Sequence, residues 1–145
     1  MALKMRFLYF SKKPQMKQLA AAIKDEFGLS ENNNATDVIP PAYSCANERL
    51  VILGISGKTE LDDVARRFCS QLDKKAAQNV AILIDGDEKL LQNTIEVLKS
   101  TGTNVIEDNT RIVKFNGLPF IGGKLSDSEK NEYIAWVHSI VDSIV

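Results

Sequence analysis

Three short runs constrain this chain more than any other feature: MRFLYF at 5–10, RLVIL at 49–53 and VAILI at 80–84. Each has strand length, and the last two are apolar almost throughout. That is the pattern of strands covered on both faces, since a half-exposed strand alternates apolar with polar residues. Such strands need one layer above the sheet and another below, and the segments between them supply helices. Met16, Leu19, Ala20, Ile23 and Phe27 recur at helical spacing between Pro14, suited to a first turn, and Gly28, a C-terminal stop. Leu61, Val64, Ala65, Phe68, Cys69 and Leu72 define a second helix, and Leu90, Leu91, Ile95 and Leu98 a third that closes at Gly102.

The remaining segments complete the alternation. Residues 37–39 read as a short edge strand ended by Pro40 and Pro41, and 42–47 as a loop or a single helical turn. Gly54 to Gly57 is expected to turn the chain. A last strand begins at 104–106, and 111–115 extend it or form another. Residues 110–125 resist assignment beyond the loop signals Gly117, Pro119, Gly122 and Gly123. Ser126 with Glu129 three residues on forms a capping box for a final helix burying Tyr133, Trp136, Val137, Ile140, Val141 and Ile144. Alternating strands and helices with short connections require parallel strands and right-handed crossovers. The expected fold is a single α/β domain over 1–145, a doubly wound three-layer sandwich with a five-stranded parallel sheet in the order 2-1-3-4-5.

Composition removes several function classes. The 145 residues carry 18 Lys and Arg against 19 Asp and Glu, so no basic excess marks a nucleic-acid partner. No apolar run approaches the roughly 20 residues that span a bilayer, and Met1–Phe10 lacks the cleavage site of a signal peptide. The chain reads as cytoplasmic, with neither nucleic-acid nor membrane partners. Cys45 and Cys69 stand far apart and with a single His cannot form a zinc site of ordinary spacing; both are expected as reduced structural thiols.

In open parallel sheets, ligands bind beyond the carboxyl ends of the strands where the strand order reverses. Three loops build that edge here: 11–16, 54–60 and 85–89. A helix N-terminus follows each, which favours an anion. Lys12 and Lys13 are an anion-binding pair or a solvated loop. Ser56-Gly57-Lys58-Thr59 ends like a phosphate-binding P-loop, but Ile52 occupies the position that needs glycine. Asp85, Asp87 and Glu88 read as an N-cap with acids that suit the helix dipole, rather than as a Mg²⁺ site. Ser56 has no evident partner acid or His for nucleophilic chemistry, Trp136 reads as core, and His138 as a packing residue at the core boundary.

At this point the residues resemble short-chain flavodoxins over nearly the whole chain. The matching stretches are Ser11-Lys12-Lys13-Pro14-Gln15-Met16 after LYF, LVILGISGKTE at 50–60, AILIDGDEKLLQN at 81–93, and the terminal TNVIEDNTRI and YIAWVHSIV. The resemblance implies a flavodoxin-like fold and an FMN or anion pocket at Ser11, Lys12, Lys13, Gln15, Ile55, Ser56, Gly57, Lys58, Asp85, Gly86 and Asp87. The family's phosphate loop has the form Ser/Thr-x-Thr-Gly-x-Thr, and of it only Ser11 remains. Pro14 stands where glycine would admit the phosphate, and it removes an N–H donor. Met16 replaces a hydroxyl, and Lys58 and Leu90 stand where aromatics would sandwich the flavin ring. Three lost hydroxyl contacts at roughly 1–2 kcal/mol each and two lost stacking faces at about 1 kcal/mol weaken FMN binding by orders of magnitude. Lys12 and Lys13 offset part of that loss. The first expectation is therefore a non-catalytic binding or interaction module with no tightly bound cofactor, its partner a protein or a small anion. The alternative is an FMN-binding electron carrier whose phosphate rests on the lysines.

Overall fold

The computed structural model describes residues 5–11, 13–28, 48–115 and 125–144. Expectations placed on Lys12, on the edge strand 37–39, on 42–47 with Cys45, and on 116–124 lie outside those residues.

β1 (Met5–Phe10), β2 (Leu50–Ser56) and β3 (Asn79–Asp85) lie side by side and parallel. The far side of β3 carries two short parallel partners: β4 (Asn104–Val105) pairs with its beginning and β5 (Arg111–Val113) with its end. A 3-10 turn at Glu107–Asn109 separates the two. The observed order is β1-β2-β3 followed by the divided β4/β5 edge.

Alternation along the strands divides the core into two layers. Leu8, Phe10, Val51, Leu53, Ile82 and Ile84 face one side, beneath α2 (Asp63–Gln71) and α3 (Glu88–Lys99). Phe7, Tyr9, Ile52 and Leu83 face the other, beneath α1 (Pro14–Phe27) and α4 (Asp127–Ile144). Both faces of β2 and β3 are thus covered, which is why their sequences are almost uninterruptedly apolar.

The helix ends follow from local chemistry. Pro14 opens α1, and Gly28 ends it at φ +63°, a left-handed conformation that glycine adopts without a Cβ clash. Asp62 caps α2 by accepting the Val64 N–H at 3.0 Å. At α4 the expected capping box is complete: the Glu129 N–H donates to Ser126 Oγ, and the Ser126 N–H donates to Glu129 Oε1, both at 3.1 Å.

The end of β2 departs from expectation. Gly54 does not turn the chain, because β2 continues through Gly54 and Ile55 to Ser56, with Gly54 between Tyr9 and Leu83 in the ladder. The reason is packing. A Cβ at Gly54 would stand 2.7 Å from Met16 Sδ and 3.2 Å from Phe7 Cζ, so the missing side chain is the space α1 packs into.

Candidate functional site

Register assembles the site. Phe10 pairs with Ile55, so the next residue, Ser11, falls beside Ser56, which pairs with Asp85, which in turn pairs with Val113. Ser11, Ser56 and Asp85 therefore form a polar row across the carboxyl ends of three strands, directly above the apolar layer that α1 and α4 cover.

The row is hydrogen-bonded from end to end. Ser56 Oγ lies 2.8 Å from Asp85 Oδ2 and 2.7 Å from Ser11 Oγ. A hydroxyl has one proton, so with Ser56 donating to the carboxylate, Ser11 donates to Ser56. Ser11 Oγ in turn accepts the Lys13 N–H at 3.1 Å. The Lys13 ammonium crosses the row to meet Asp85 Oδ2 at 2.7 Å and donates to the Phe115 carbonyl at 2.8 Å. The Phe115 N–H donates to Asp85 Oδ1 at 2.9 Å. Asp85 is only 2% exposed, and a buried carboxylate is tolerable when each oxygen has donors, as these do.

A second set of bonds joins the loop after β2 to the loop after β3 and to α3. The Gly57 N–H donates to the Asp85 carbonyl at 3.1 Å, the Thr59 hydroxyl to Asp87 Oδ2 at 2.9 Å, and the Asn93 amide to the Thr59 carbonyl at 2.9 Å. Asp87 also caps α3, accepting the Leu90 N–H at 2.8 Å on Oδ1. The Leu90 N–H first and the Thr59 hydroxyl second hold the Asp87 carboxyl below its ordinary value. The loops touch at Gly86, where a Cβ would come within 2.6 Å of the Gly57 carbonyl oxygen and 2.9 Å of Leu90 Cδ2.

Above the row lies a cleft of about 350 Å³ lined by Lys13, Gly57, Lys58, Asp85, Gly86, Asp87, Lys114 and Phe115. That is the small end of the ~300–1,000 Å³ typical of ligand pockets. Lys58 and Lys114 are exposed and make no ion pair among the described residues. The Gly57 and Gly86 N–H groups are already bonded, to the Asp85 and Val113 carbonyls.

Most of the residues singled out from sequence meet at this edge. Ser11, Lys13, Ser56 and Asp85 form the network, and Gly57, Lys58, Gly86 and Asp87 line the cleft with Lys13 and Asp85. Ile55 is 1% exposed and packs in the α2/α3 layer, and Gln15 is buried in the first turn of α1; neither lines the cleft. Ser56 does have an acid partner, Asp85, because the ladder joins residues far apart in sequence. Asp85 is not part of the α3 cap; Asp87 alone is, and Lys13 takes Asp85 in place of solvent. Lys114, Phe115 and Asn93 escaped the sequence reading as site residues, and Thr59 entered it only as the end of the motif at 56–59. The first two follow the last strand, whose end must reach the same edge as the others, and that geometric rule is the signal that points to them.

Elsewhere, the Cys69 thiol is free and buried, and burial pushes its pKa up to about 12, so it is inert packing. Trp136 is buried and donates its indole N–H to the Asn109 carbonyl at 3.0 Å. The His138 ring lies 4.6 Å from the Phe27 ring, tilted by 42°, with Nε2 2.8 Å from Glu26 Oε2, at the rim between α1 and α4. Among the described residues, no cluster of His, Cys, Asp and Glu could hold a metal ion, and no helix is long and apolar enough to cross a membrane. No protein-family model matches the chain, and no curated protein matches it in sequence.

Proposed function

We propose that this chain is a flavodoxin-like binding module that does not hold FMN tightly and carries no catalytic constellation. In this reading the sheet has the order 2-1-3-4-5, and a protein or a small anion is the partner. The carrying observation is the employment of Lys13. With only Ser11 left of the phosphate loop's hydroxyls, lysines are the groups left to replace them, and the Lys13 ammonium is engaged by Asp85 at 2.7 Å and by Phe115 O at 2.8 Å.

The described residues fit FMN poorly in two further ways. The loops that would flank the ring are in contact at Gly57 and Gly86 and joined by two hydrogen bonds, with a third from Asn93 of α3 to the Thr59 carbonyl. Leu90, at one stacking position, is fully buried in the core and offers the ring no face. A catalytic reading of Ser56 finds little support, because both oxygens of its partner acid are already engaged, Oδ2 by Lys13 and Oδ1 by the Phe115 N–H.

The test is an FMN titration of the purified protein followed by flavin fluorescence and calorimetry. The expected result is no saturable binding up to ~100 μM, a ceiling of about −5.5 kcal/mol. Sub-micromolar saturation that Lys13→Ala weakens would overturn the proposal and make the chain an FMN-binding electron carrier.

A further inference from the structure

We infer that the strand-end cleft is a lysine-built site for a small oxyanion of the phosphate class, and that Asp85 is its built-in competitor. The inference rests on the reading of the chain as a binding module and names what the cleft binds. Three lysines, Lys13, Lys58 and Lys114, line about 350 Å³ of space together with two acids, Asp85 and Asp87. Asp85 balances Lys13, and the Asp87 charge, which Lys114 attracts, offsets one of the other two ammonium groups. Asp87 spends one oxygen on the α3 cap and the other on Thr59. Asp85 is taken by Lys13, Ser56 and the Phe115 N–H. The cleft thus carries an excess of one positive charge, and the engaged carboxylates leave no free ligand set for a cation.

Size and donor chemistry narrow the ligand. The cleft has room for a tetrahedral oxyanion and its waters. The loop N–H groups that could otherwise cradle an anion are bonded to Asp85 and Val113 carbonyls, so lysine side chains do the binding. Point charges on flexible, partly exposed stems bind weakly and with strong salt dependence. Lys13 has three N–H donors, of which Asp85 and Phe115 take two. The Asp85 carboxylate already neutralises the one ammonium anchored at the cleft floor, and it repels any anion that approaches it.

The experiment is a titration with inorganic phosphate followed by amide NMR, with chloride at matched ionic strength as the control. Wild-type protein is expected to bind in the millimolar range, with shifts at Gly57, Gly86 and Phe115. Asp85→Asn keeps an oxygen for the Phe115 N–H, removes the competing charge, and should tighten binding at least about tenfold. Lys58→Ala with Lys114→Ala, at two exposed positions that make no ion pair among the described residues, should abolish the shifts. Equal affinity in wild type and a folded Asp85→Asn protein overturns the inference. So does phosphate binding that the double lysine variant leaves unchanged, or no cleft shifts in the wild type. Should Asp85→Asn fail to fold, the lysine comparison decides alone. Tight FMN binding by the wild type defeats the module reading without touching the phosphate comparison. Absence of phosphate binding alongside absence of FMN binding defeats only this inference.

Discussion

At the scale of single residues, the site is governed by groups whose roles depend on neighbours remote in sequence. Asp85 and Asp87 are two positions apart and look equivalent in the string Asp85-Gly86-Asp87. The strand points the first into the Ser11–Ser56 row and the turn points the second at the α3 N-terminus, so one binds a lysine and the other a helix end. Gly86 between them is fixed by space, since its Cβ would sit 2.6 Å from a backbone oxygen that no side-chain rotation can move. Gly86→Ala should therefore cost about 1–3 kcal/mol, the usual penalty of overpacking, read as a lower urea midpoint. An unchanged midpoint would mean that the two loops are not in contact.

At the scale of elements, local chemistry and tertiary pairing divide the work. The α4 capping box needs only four consecutive residues, so it is legible in sequence and its effect is local. Ser126→Ala removes the Glu129 N–H partner and should destabilise the protein by about 1 kcal/mol in denaturant unfolding, whereas Ser126→Asp should retain most of the stability. Met5–Phe10 is legible with its bounds, and α1 runs from Pro14 to its Gly28 cap as its pattern predicts, because periodicity is a property of the segment itself. The α2 helix is shorter than its apolar stripe at 61–72, and α3 ends at Lys99, short of Gly102. The end of β2 is not legible. Gly54, Ser56 and Gly57 are turn formers by local preference, and only pairing with β1 and β3 keeps the first two in the strand. The site is legible to a similar degree: the strand-end rule points to loops 11–16, 54–60 and 85–89, but which side chain meets which is set by register. Lys114 and Phe115 follow a three-residue strand too short to give a periodic signal.

At the scale of the whole molecule, the two loop clusters tie the sheet edge to the helices, and the tie responds to pH. The Asp87 carboxyl is held below its ordinary value of 3.8 chiefly by the Leu90 N–H and then the Thr59 hydroxyl. A depressed folded-state value means that its contribution is complete above about pH 5 and is lost as pH falls through the folded value. Stability measured by urea unfolding should therefore fall as pH drops below about 4, and less steeply in Asp87→Asn, which keeps a capping side chain without the charge. Equal slopes in the two proteins would remove Asp87 from the acid response.

The divided strand at the far side of the sheet has a consequence of a different kind. Beyond β3 the edge consists of two residues, a 3-10 turn and three residues, with Ile112, 41% exposed, the large apolar side chain left exposed among the described residues. An intermolecular ladder needs a continuous row of open N–H and C=O groups, and an interrupted edge presents none longer than a single short strand. The break that makes this part of the chain hard to read also gives the folded protein, on this side, a margin that resists recruitment into amyloid-like assemblies.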